Sequence, residues 1–188
     1  MWARTDGVQT PAPVTAMKLY SSQFNVIAQE ILRTLRKQEL IEVAAEELGE
    51  AELDIVGVLK EYNRMDRSLT QQARDSVGAE GRTAEMREKQ RLARDKNFRT
   101  GEEGLEYIVS QILETFMQSD RIEEIYGTDR DLRRVITVVL KKHTEDRSQE
   151  LDVEVRSKLK NLQEGSAAWD IEYQRTMARV KERKGLVE

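Results

Sequence analysis

The sequence predicts an all-α protein, and three observations carry that reading. Both prolines, Pro11 and Pro13, lie near the start, and none follows in the rest of the 188-residue chain. Aromatic residues make up only 5%, a poor supply for sandwiches and barrels, whose strands favour aromatic and β-branched side chains. From about residue 21 onward, apolar residues recur at three- and four-residue spacing, the signature of amphipathic helices. No segment reads as a convincing strand; Met17-Lys-Leu-Tyr20 has an extended character but is too short to make a sheet.

Taken in order, residues 1–16 (MWARTDGVQTPAPVTA) lack periodicity and read as a flexible N-terminal extension. Ser21 or Ser22 then offers an N-cap for a helix whose stripe is Phe24, Ile27, Ala28, Ile31, Leu32 and Leu35. Leu40 and Ile41 mark a buried turn, and Ala51, Ile55, Val58, Leu59 and Tyr62 form a second stripe. Ser68-Leu-Thr-Gln71 has the form of a capping box, predicting a short new helix with Leu69, Ala73 and Val77 on one side, ended by Gly78 and Gly81.

Residues 82–99 differ. They hold seven basic and three acidic residues with a sparse apolar pattern of Met86, Leu92 and Phe98, which predicts a solvated, charged linker helix supported by i,i+4 pairs. Thr100-Gly-Glu-Glu103 is a second capping box, opening a helix with Leu105, Ile108, Val109, Ile112, Leu113, Phe116 and Met117 on its stripe. A final helix follows Gly165-Ser166, with Trp169, Tyr173, Met177 and Val180 on one side and basic residues from Arg179 to Lys184 at its end, where they suit the helix dipole.

The chain also repeats itself. Residues 24–62 laid without a gap on 105–143 share ten of 39 positions, among them Ile27/Ile108, Ile31/Ile112, Ile41-Glu42/Ile122-Glu123 and Val58-Leu59-Lys60/Val139-Leu140-Lys141. We read this as an internal duplication. The expected organisation is an extension (1–16), a first helical lobe (17–81), the basic linker helix (82–99), a second lobe (100–164) and a C-terminal helix (165–188).

Several stretches resemble a bacterial family, domain of unknown function 507. They are Met17-Lys-Leu-Tyr-Ser21, Ile27-Ala-Gln-Glu-Ile31, Val58-Leu-Lys-Glu-Tyr62, Leu140-Lys-Lys-His143, Val155-Arg-Ser-Lys-Leu-Lys-Asn-Leu-Gln-Glu-Gly165 and Trp169-Asp-Ile-Glu-Tyr-Gln174. The resemblance runs over roughly residues 17 to 187 and is most specific near the C-terminus. It implies no activity and transfers no catalytic or binding residue. Members of the family typically start at the position of Met17, so residues 1–16 depart from the pattern and are expected to reflect an upstream start codon.

Motifs for chemistry are few. With no cysteine and a single histidine, His143, the chain cannot assemble zinc or di-iron ligand sets by itself. His143 falls at the stripe position of Tyr62 and reads as a partly buried residue near a helix end. Residues 38–56 carry seven acids and no base, but without calcium-loop spacing. Gly78-Ala-Glu-Gly81 and Gly101-Glu-Glu-Gly104 have acidic centres that repel phosphate, and read as helix punctuation. No phosphate loop, dinucleotide fingerprint or nucleophile elbow occurs. No catalytic residue, metal or cofactor is assigned.

The formal net charge of −4 gives no overall basic field toward nucleic acid or anionic membrane. No apolar run has the length of a membrane span, no signal-peptide core is present, and the expected location is the cytoplasm. The candidate partner-binding residues are therefore Arg82, Arg87, Lys89, Arg91, Arg94, Lys96 and Arg99. The leading expectation is a non-enzymatic interaction or scaffold protein with a protein partner. The alternative is RNA or ribosome binding through residues 82–99 and the Arg179–Lys184 end, with an enzyme third. Deleting residues 1–16 is predicted to leave the melting temperature unchanged; a fall of several degrees would show that this segment packs on the fold.

Overall fold

A computed structural model describes residues 19–184 and 186. The extension and the first two residues of Met17–Tyr20 lie outside them. The described chain forms six α-helices, α1 (Phe24–Lys37), α2 (Leu48–Val77), α3 (Arg82–Asp95), α4 (Glu102–Gln118), α5 (Asp129–Lys158) and α6 (Ala167–Arg183). One two-residue ribbon pairs β1 (Ile41–Glu42) antiparallel with β2 (Glu124–Ile125).

Periodicity placed the helices well, and their ends less well. All six residues of the first stripe are buried in α1. Its N-cap, however, is Gln23, because Ser21–Gln23 forms a 3₁₀ turn ahead of the α-helix. Ser68 opens no new helix. The apolar period runs through it, α2 continues for 30 residues, and Ser68 Oγ accepts from Gln72 Nε2 at 2.9 Å along the helix surface. Thr100 likewise does not cap α4, whose N-cap is Gly101 at φ 64°. On the α4 stripe Met117 is exposed, while Ile108, Val109, Ile112, Leu113 and Phe116 are buried. Side-chain caps do form on α5, where Thr128 accepts from the Asp131 amide, and on α6, where Ser166 accepts from Trp169.

Helices α1 and α3 stop by the same device. Glu39 (φ 56°) and Asn97 (φ 50°) adopt the left-handed conformation. The following amides reach back, Leu40 N to Leu35 O at 3.0 Å and Phe98 N to Ala93 O at 2.8 Å. This arrangement satisfies helix-end carbonyls and turns an apolar residue inward.

The ribbon was not anticipated, since two residues per strand leave no alternating pattern to read. It joins two connectors of equal length, 38–47 and 119–128. The Leu40 carbonyl accepts from the amides of both Tyr126 and Gly127 at 2.9 Å, and Tyr126 Oη bonds Glu42. A Cβ at Gly127 would lie 2.9 Å from the Leu40 side chain, so glycine permits this close crossing.

Packing interleaves the two halves. Helix α1 contacts α2 and α5, and α4 contacts α5 and α2. One apolar core therefore draws Phe24, Ile31, Ile55 and Leu59 together with Ile108, Ile112, Leu132 and Ile136. Each such side chain contributes about 1.5–3 kcal/mol on burial. The segment expected to link two lobes instead folds back on α2 as α3, while α6 folds back on α5. The α5–α6 hairpin carries a smaller core of its own, with Tyr20, Leu151, Val155, Leu159, Val180 and Leu186, against which Trp169 and Tyr173 pack.

An aromatic cluster ties the end of α3 to the main core. Tyr62 and Tyr107 each lie 5.0 Å from the Phe98 ring centroid. Tyr62 Oη rests against Gly104, where an added Cβ would stand 2.0 Å away. Gly104→Ala is predicted to destabilise the protein by about 1–2 kcal/mol through overpacking, despite alanine's better helix propensity. Tyr62→Phe in that background should recover part of the loss in a denaturant-melt double-mutant cycle. Additive losses would refute the proposed clash.

Candidate functional site

The basic segment divides into an inner and an outer face. Toward α2, Lys89 Nζ meets Asp66 at 2.8 Å, Lys96 Nζ meets Gln72 Oε1 at 3.4 Å, and Glu85 and Glu88 approach Arg74 and Ser76. Outward, Arg87, Arg91 and Arg94 fall at i, i+4 and i+7 and so share one side of α3. Arg91 is engaged along its own helix, donating to Glu88 from Nε at 2.9 Å and Nη2 at 2.6 Å, and to Asp95 at 2.9 Å. Those bonds hold the Glu88 carboxyl below its ordinary range, against a smaller opposing effect of desolvation. Arg99 pairs with Glu103 at 2.8 Å.

Among the described residues, Arg82, Arg87 and Arg94 are exposed and their side chains enter no ion pair or hydrogen bond. Of the seven candidate residues, the structure thus engages four and leaves three uncompensated. Phe98, the one aromatic of residues 82–99, is buried in the Tyr62–Tyr107 cluster. The basic end of α6 is also partly neutralised, because Arg183 and Lys184 both reach Glu154.

The acidic run of residues 38–56 faces a counter-charge from the other half. Arg121 Nη1 bonds Asp54 at 2.9 Å, and its guanidinium lies 3.8 Å from both Glu47 and Glu50. Among the described residues, no group of three or more potential metal ligands is assembled. Three of the four glycines of these pairs act as punctuation, Gly78, Gly81 and Gly101 standing at positive φ at helix ends, whereas Gly104 lies within α4 against Tyr62.

His143 sits in the body of α5 rather than near its end, because α5 runs on to Lys158. Its partner is Glu30 of α1, with Nε2 and Oε2 2.7 Å apart and both side chains largely buried. Lys142 Nζ takes the other carboxylate oxygen at 2.7 Å. Sequence reasoning missed this cluster because its members are 112 and 113 residues apart, with no local signal to join them.

The fold and the exposed arginine face describe an all-α protein built on an interleaved helical core, with a charged helix displayed on its flank. Residues 17–186 match the family described as Protein of unknown function (DUF507), and the chain belongs to that family. No curated protein matches it. No helix among the described residues is long and apolar enough to cross a membrane.

The hydrogen bond from Lys142 is the leading cause that holds the Glu30 carboxyl below its ordinary value; burial opposes it and His143 reinforces it. A depressed carboxylate stabilises the fold above its unfolded pKa, and that stability is lost as pH falls through the folded value. Glu30→Gln is predicted to cost about 1–2 kcal/mol at pH 7, as expected for hydrogen bonds to a charged group. The gap from wild type should shrink below about pH 4 in pH-dependent melts. A gap that stays constant with pH would contradict the assignment.

Proposed function

We propose that the protein is a non-enzymatic interaction protein of the cytoplasm that docks an acidic protein surface on the outer face of α3. The observation behind this reading is that the side chains of Arg87 and Arg94 on that face, and of Arg82 at the helix start, are left uncompensated in a chain that pairs many of its other bases. Exposed guanidinium groups on a rigid helix favour bidentate contact with carboxylates. Their charge steers an acidic partner more than it stabilises the fold. Beneath them, α3 is supported by the long α2, and we take the repeated unit of helix, connector and long helix as a duplicated scaffold.

The RNA reading loses ground at two points. Burial of Phe98 removes the stacking platform on which single-strand binding commonly relies. Four of the seven bases are engaged within the protein, which leaves a small charge for phosphate contact.

The test uses the full chain as bait in a nuclease-treated affinity purification read by mass spectrometry, beside the double variant Arg87→Glu/Arg94→Glu. The expected result is a stoichiometric protein partner for wild type, reduced at least tenfold for the variant, with both proteins melting alike. Equal recovery by both baits would sink the proposal, and material lost on nuclease treatment would favour RNA instead.

A further inference from the structure

A cleft of about 280 Å³ opens between α2 and α4, above the Tyr62–Phe98–Tyr107 cluster. Val58, Met65 and Ile108 supply apolar wall, and Glu61 and Gln111 lie at its edge. At its mouth is Gly57, in the middle of α2. A glycine in a helix interior costs about 1 kcal/mol relative to alanine. Yet a Cβ added at Gly57 would meet nothing within 4 Å. Packing within the chain therefore does not require glycine there, and a larger side chain at Gly57 has room to extend over the cleft.

The other half of the molecule offers an internal comparison. Helices α2 and α5 are both 30 residues long and begin 81 positions apart, the same offset at which the sequence repeats. At that offset Val138 stands in the place of Gly57, His143 of Tyr62, Lys142 of Glu61, and Glu30 of Gln111. There Glu30 bridges from α1 to both His143 and Lys142 on α5, so the polar groups satisfy one another across the helix pair. In the α2–α4 cleft they do not. Glu61 pairs with Arg64 on its own helix, and Gln111 Nε2 donates to Glu114 on its own helix at 3.1 Å. Among the described residues, the side-chain oxygen Oε1 of Gln111 accepts no hydrogen bond.

We propose that this cleft binds a compact, neutral aromatic molecule bearing one N–H or O–H donor. Of the rings that line the cleft, Tyr107 is only half-buried and offers offset or edge contacts to another ring. The side-chain oxygen Oε1 of Gln111 is available to accept the donor. No lysine or arginine lines the cleft, so an anion finds no counter-charge beside Glu61. The volume falls just below the usual range for drug-sized ligands, about 300–1,000 Å³, which selects a single ring system over a nucleotide cofactor. This inference is independent of the α3 surface.

The probe is indole, titrated into the ¹⁵N-labelled full chain and followed by NMR, with benzoate as the anionic counterpart. Indole should give saturable shifts at Gly57, Ile108 and Gln111, and benzoate at the same concentrations should give none. Gly57→Leu should weaken indole at least tenfold without lowering the melting temperature, and Gln111→Ala should weaken it several-fold. The Arg87→Glu/Arg94→Glu variant should bind indole as wild type does, which separates this test from that of the docking surface. Absence of saturable shifts at millimolar indole, or equal binding by Gly57→Leu and Gln111→Ala, would overturn the proposal.

Discussion

The structure depends on the burial of α1 and α4, each shared between the two long helices. Both are short, and neither could cover its apolar face against one neighbour alone. Helix α1 lies on α2 of its own half and α5 of the other, and α4 does the converse. Ile27, Ile31, Ile108 and Ile112 are fully excluded from solvent at that crossing. Removing any one of them would open a cavity in a core common to both halves, at about 2–5 kcal/mol for truncation to alanine. The ribbon adds few hydrogen bonds, but it locks the connectors in the register that lets the four helices meet.

Charge is handled mostly by short-range pairing. Many ion pairs are three or four residues apart on one helix, as in Arg91–Glu88, Arg133–Asp129 and Arg156–Asp152. Exposed pairs of this kind contribute about 0–1 kcal/mol each, so their main effect is to neutralise surface. Two clusters act across the fold: Arg121 against Asp54, and Glu30 between His143 and Lys142. Each joins elements far apart in sequence. Against this background, the side chains of Arg87 and Arg94 on the outer face of α3 find no partner among the described residues.

The two helix pairs that share a sequence offset have taken different side chains at matching positions. Around Glu30 the polar groups close on one another, whereas Glu61 and Gln111 turn to neighbours on their own helices and leave a gap beside Tyr62 and Tyr107. In the second arrangement Tyr62 is buried where Gly104 yields space for its hydroxyl. The raised pKa of Tyr62, caused chiefly by desolvation, follows from that burial.

Helical class, the buried stripe of α1 and the start of the last helix after Gly165-Ser166 were legible in the sequence, because each rests on spacing within a few residues. Capping boxes at Ser68 and Thr100 misled, since a local hydrogen-bond motif cannot show whether the apolar period continues past it or a glycine takes the cap. Likewise, seven basic residues in 82–99 could be counted in advance. Which of them stayed uncompensated could not, because Lys89 and Lys96 find their partners on α2, and Phe98 finds its place between two tyrosines. Periodicity determined that this chain forms amphipathic helices and which faces they bury. Tertiary structure decided which helices share a face, and hence that Glu30 meets His143, that α3 packs rather than links, and that a cleft remains beside Gly57. Those outcomes depend on contacts between residues tens to more than a hundred positions apart, which no local pattern encodes.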